Sequence, residues 1–74
     1  MTLATWIDAS QSTSIARFGY DEASRALLIE YKNGHEYRYL GVPDSIFEDM
    51  KSAPSKGQFV NQSVKGTYPY EEVK

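Results

Sequence analysis

The chain has no cysteine among its 74 residues, which removes both disulfide staples and thiolate metal sites. It has one histidine, His35, so no second imidazole is available to build a metal centre. No serine stands in a recognisable nucleophile setting either. No metal, no cofactor and no catalysis are therefore expected. Cations are also scarce: eight Lys and Arg stand against ten Asp and Glu, for a formal net charge of −2. That balance gives no general attraction to phosphates or anionic lipids. The apolar runs are too short to cross a bilayer, and residues 1–8 have neither the basic start nor the long apolar core of a secretory leader. The expectation is a cytoplasmic monomer without membrane contact, lying near the lower size limit for an unstapled core. What the chain does have is rings. Six Tyr, three Phe and one Trp supply the buried area that a small domain needs.

The stretch Arg25 to Pro43 organises the rest. Apolar and polar residues alternate on both sides of Asn33-Gly34, which reads as a hairpin. A two-residue loop would oppose Ile29 with Arg38 and mix charge into the apolar face. A three-residue loop, Lys32-Asn33-Gly34 with Gly34 left-handed, instead pairs Tyr31 with His35, Ile29 with Tyr37 and Leu27 with Tyr39. Burial selects the second register, because a one-residue slip exchanges the faces. Upstream, Ile15 to Tyr20 reads as a strand with Ala16, Phe18 and Tyr20 on one face. Ile15 falls on the other, which suggests a bulge. The arm, residues 1–11, permits an edge strand or an irregular docked segment. Trp6 either seals the core edge, the reading favoured by the burial habits of Trp, or is offered to a partner.

Two helices should cover the sheet. Pro43 suits a first helical position, and Asp44 puts negative charge at the positive helix end. Ile46, Phe47, Met50 and Ala53 fall on one face at helical spacing, and Pro54 stops the helix. Ser55 to Gln58 has the spacing of a capping box, opening a second helix to about Val64 that Gly66 ends. Thr67 to Tyr70 then docks through its rings, and residues 71–74 fray. The expected fold is α+β: a three-stranded antiparallel meander sheet with one apolar face covered by two short C-terminal helices. The order is β-β-β-α-α in a single domain, residues 12–70, with room for an N-terminal edge strand.

Some side chains invite a binding role. Tyr37-Arg38-Tyr39 could stack bases and meet phosphate, but strand geometry sends both tyrosines to one side and Arg38 to the other. Core rings are the simpler reading. Ser55, Lys56 and Gly57 open a helix and could hold an anion, with Arg38 and Lys65 extending the patch if the fold brings them near. The plain alternative is a capping box beside a solvated lysine. His35 is read as a turn-flanking ring stacked on Tyr31. Asp44, Glu48 and Asp49 form an acidic helix start and face, which suits a basic protein groove and repels nucleic acid.

The ordered series Ser14-Ile15, Phe18-Gly19-Tyr20-Asp21, Leu27 to Tyr31, Gly34, Tyr37-Arg38-Tyr39, Gly41-Val42-Pro43, Ala53-Pro54-Ser55-Lys56-Gly57 and Lys65-Gly66 resembles the KTSC family. That family is named for a domain at the C-terminus of some lysyl-tRNA synthetases, which also occurs as a free-standing small protein. The resemblance spans about Ser12 to Tyr70, leaves Met1 to Ala9 unmatched, and implies no catalytic residues. It suggests a link to RNA. Two functions follow as expectations: a module that docks on a protein of the transcription or translation machinery, such as RNA polymerase or a tRNA synthetase, or a domain that binds single-stranded RNA directly. The acidic balance favours the protein partner, with Trp6, Asp44, Glu48 and Asp49 as contacts. The RNA reading would use Arg38, Ser55, Lys56, Gly57 and Lys65.

Overall fold

The hairpin forms in the register that burial demands. In the computed structural model, which describes residues 5–73, Leu27 faces Tyr39 and Ile29 faces Tyr37. The Tyr31 N–H donates to the His35 carbonyl at 2.8 Å, which closes the three-residue loop, and Gly34 has φ of +94°. A Cβ at Gly34 would meet nothing within 4 Å, so its requirement is conformational alone. Gly34→Val is expected to cost about 1–3 kcal/mol in urea unfolding, because a β-branched residue is strained at positive φ.

The sheet built on this hairpin has five antiparallel strands in chain order, not three. They are β1 (Thr5–Asp8), β2 (Ile15–Asp21), β3 (Ala26–Tyr31), β4 (Glu36–Tyr39) and β5 (Tyr70–Glu72). The arm thus resolves as an edge strand from Thr5. Its first four residues, and Lys74 of the tail, lie outside the described residues. At the other edge, the tail expected to fray from Glu71 pairs with β4, placing Tyr39 against Tyr70 and Tyr37 against Glu72. Alternation could not reveal a three-residue strand that reaches its partner only after two helices. On β2 the ladder shifts at Ala16, with Ile15 opposite Tyr31 and Arg17 opposite Glu30. This bulge brings Ile15 to the face of Phe18 and Tyr20 and displaces Ala16 from it. Ile15 is fully buried and Ala16 only partly.

Two helices cover that face. Helix α1 (Asp44–Ser52) has Pro43 as its N-cap and so begins one residue later than the sequence suggests, and it buries Phe47 and Met50. Helix α2 (Lys56–Phe59) opens into a wider π turn (Val60–Val64), closed by the Lys65 N–H on the Val60 carbonyl. The two segments together fill the span expected of one helix; no residue type in Val60 to Val64 marks the change of pitch. Val60 and Val64 complete a core with Ile15, Phe18, Tyr20, Leu27, Ile29, Tyr39 and Val42. The Tyr20 hydroxyl donates to the Val42 carbonyl at 2.5 Å inside this core. Tyr20→Phe is expected to cost about 1–3 kcal/mol by denaturant titration, because it leaves the carbonyl buried without its donor.

Candidate binding surfaces

The helices cover one face of the sheet and leave the other open. The register lays two rows across that open face: Trp6, Gly19, Leu28, Arg38 and Glu71, then Asp8, Arg17, Glu30 and Glu36. Ile7 is the β1 residue that packs against the core, so Trp6 does not seal it. Trp6 lies half-buried on the open face under the Arg17 guanidinium, 3.9 Å from its ring centre. Arg17 also pairs with Glu30, and Arg38 Nη2 pairs with Glu71 at 2.8 Å. The Glu71 carboxylate holds Arg38 firmly protonated.

The cations nominated from the sequence do not converge. Arg38 is on the open face, while Lys56 and Lys65 belong to the helical layer behind the sheet. Lys56 Nζ reaches back to the carbonyls of Ala53 (2.6 Å) and Lys51 (3.2 Å), where it caps the negative end of α1. Lys56 and Ser55 border one open cleft with residues 8–13, and Lys65 borders another with Tyr37, Tyr39 and Tyr70. Ser55 caps α2 as its spacing predicts, accepting from the Gln58 N–H at 3.3 Å. Ser55→Ala is expected to cost about 1 kcal/mol in thermal unfolding. Gly57 answers to packing: a Cβ there would sit 2.9 Å from the Ser14 hydroxyl oxygen, where α2 passes the β1–β2 loop.

On α1, Asp44, Glu48 and Asp49 are all exposed. Asp44 and Glu48 are four residues apart and share one stripe, and Glu48 also pairs with Lys51 at 2.9 Å. His35 stacks on Tyr37 at 6.4 Å rather than on Tyr31, and its Nδ1 lies 2.5 Å from Glu72. Among the described residues no helix is long and apolar enough to span a membrane, and no three potential metal ligands cluster.

The feature the sequence reading missed is a tyrosine cluster completed by β5. Tyr70 meets Tyr37 at 5.5 Å and Tyr39 at 5.6 Å, and Tyr37 meets Tyr31 at 5.6 Å. The rings of Tyr68-Pro69-Tyr70 signalled docking; their pairing partner had no local signal. The Tyr31 hydroxyl is buried without a hydrogen bond of good geometry, close enough to the Tyr39 hydroxyl to push that group's pKa up further. Burial is the larger cause at Tyr39, and it raises Tyr31 as well. Both phenols are held neutral more tightly folded than unfolded. Their contribution to stability is therefore complete below the ordinary tyrosine pKa of 10.0 and is lost as pH rises through the elevated folded values. Titration followed by tyrosinate absorbance and circular dichroism should show Tyr39 ionising only as the sheet unfolds.

Residues 11–68 match the profile of the KTSC domain family. The chain is 38% identical over 63 residues to a lysine–tRNA ligase of Nostoc punctiforme, a match that takes in 85% of this chain and 11% of the ligase. The chain thus spans only a small part of the length of that relative. A protein of Tsukamurella paurometabola is 40% identical over 55 residues, covering 74% of this chain and 82% of its own. The crystal structure of a KTSC domain protein from Yersinia pestis superposes with a TM-score of 0.88 at 33% identity, over 97% of this chain and all of that one.

Proposed function

Given that the chain belongs to the KTSC domain family, we infer that it is a small non-catalytic binding module that docks, as a monomer, on a protein of the translation or transcription machinery. The lysine–tRNA ligase relatives, of whose length the match takes in 11%, support the link to translation. The observation that carries the protein partner is the dispersal of the cations. Arg38 and Arg17 are each paired with a carboxylate, Lys56 is bound to helix carbonyls, and these groups lie on opposite sides of the sheet. A nucleic-acid groove needs several free cations along one track. Against this, the exposed carboxylates of Asp44 and Glu48 share one stripe of α1 with Asp49 beside it, a pattern complementary to a basic protein groove.

The test is capture of partners from a bacterial lysate by the tagged domain, with and without nuclease treatment. The expected result is a protein retained after nuclease and weakened by Asp44→Lys, Glu48→Lys and Asp49→Lys combined. Loss of all retained protein on nuclease treatment would contradict the reading and support an RNA ligand.

A further inference from the structure

The cleft between β4, β5 and the turn after Val64 is walled by Tyr37, Tyr39 and Tyr70 and bordered by Lys65 and Gly66, with a volume of about 150 Å³. Its floor, Tyr39, is buried, while Tyr70 is 61% exposed, the most exposed large apolar side chain among the described residues. From this geometry we propose that the cleft receives a proline of an extended segment of the partner protein, with an acidic residue next to that proline meeting Lys65. The proposal rests on the reading of the domain as a protein-docking module.

Three features select this ligand. The first is the shape of the walls. Tyr37 and Tyr70 meet edge to face at 81°, and Tyr39 and Tyr70 are tilted by 44°, with each pair already in contact. Rings so placed form an angular notch. A sandwiched base needs two parallel faces separated by two stacking distances. The second is size: the cleft is smaller than the roughly 300–1,000 Å³ typical of small-molecule sites, which suits one side-chain ring and not a nucleotide. A pyrrolidine ring is apolar and compact. In a polyproline-type segment it arrives with its backbone already ordered and its carbonyls free to accept from tyrosine hydroxyls. The third is charge. Lys65 holds its ammonium 5.6 Å from the Tyr31 ring centre and forms no ion pair among the described residues. One such cation at the mouth matches one carboxylate on the ligand and is too little for a phosphate chain.

The experiment titrates the isotope-labelled full chain with a synthetic peptide of prolines interrupted by aspartate, a version with alanine for every proline, and an oligouridylate. The expected result is saturable shifts at Tyr37, Tyr39, Lys65, Gly66 and Tyr70 with the proline peptide. The alanine peptide should bind at least about tenfold more weakly, and so should the proline peptide to Tyr70→Ala or Lys65→Glu, each shown to be folded by circular dichroism. Tyr70→Phe should keep most of the affinity. Equal binding of the alanine peptide, no saturable shift, or stronger shifts of these residues by oligouridylate would each overturn the proposal. Lysate capture separates the two readings. A partner retained after nuclease by both wild type and Tyr70→Ala keeps the docking function and removes this cleft from it. Proline-peptide binding in a chain that retains no partner after nuclease keeps the cleft and removes the docking function.

Discussion

Phe47→Ala is expected to lower the stability of the domain by about 3–5 kcal/mol, the largest loss from any single core truncation proposed for this chain. Phe47 is 6% exposed and joins α1 to the sheet through two ring contacts, edge-on to Phe18 at 5.8 Å and stacked on Tyr20 at 5.3 Å. Truncating a buried phenylalanine costs about 3–5 kcal/mol through lost burial and the cavity left behind. A domain of this length has a total stability of about 4–11 kcal/mol at ordinary values per residue. The core has little with which to refill the space, because Phe47 and Met50 are the only buried residues of α1. Urea unfolding followed by circular dichroism checks the result. A variant with a wild-type midpoint would show that the helical layer is not held by this contact.

The second large effect concerns the C-terminal edge. A chain ending at Pro69 loses all of β5 and is expected to lose about 2–4 kcal/mol. Two ring contacts of Tyr70 contribute about 0.5–1.5 kcal/mol each, and the solvent-exposed contacts Arg38–Glu71 and His35–Glu72 add little beside them. The β4 ladder and the bond from the Val73 N–H to the Glu36 carbonyl, 2.7 Å, go with them. Tyr39 and Tyr37 also become exposed along β4. A second truncation, ending at Tyr70, separates the ring contacts from the charged tail. If the last residues merely frayed, removing 71–74 would change nothing measurable; a shift in the unfolding midpoint for both truncations supports the strand.

What the sequence discloses is what local physics decides. The hairpin register was legible because a two-residue loop would have opposed Ile29 with Arg38, and Gly34 stood where a left-handed residue was needed. The Ser55 cap was legible for the same reason: donor and acceptor are three residues apart. The bulge at Ala16 was half-legible, since Ile15 was visibly out of phase, although only the pairing with β3 shows that Ile15 joins the core. β5 was not legible. Two adjacent glutamates carry no alternation, and the strand is defined by the edge it completes. The binding surfaces were hidden by the same non-locality. Arg38, Lys56 and Lys65 look like one basic set in a linear reading, but the sheet separates Arg38 from the helical layer and Glu71 neutralises it from a strand 33 residues away. Trp6 depended on a parity that only the β1 register sets.

The central claim is that this fold docks on protein and does not carry a nucleic-acid track. Its most direct test is the titration of labelled domain with a mixed-sequence single-stranded RNA at low and moderate salt. RNA held by clustered cations would release counterions with a log–log slope of about −0.7 per phosphate neutralised. The account predicts no saturable binding at either salt concentration, because Arg17 and Arg38 are paired with carboxylates, Lys56 is held by helix carbonyls, and the cations are divided between the two sides of the sheet. Micromolar binding that weakens steeply with salt and vanishes when Arg38, Lys56 and Lys65 are all replaced by alanine would contradict it.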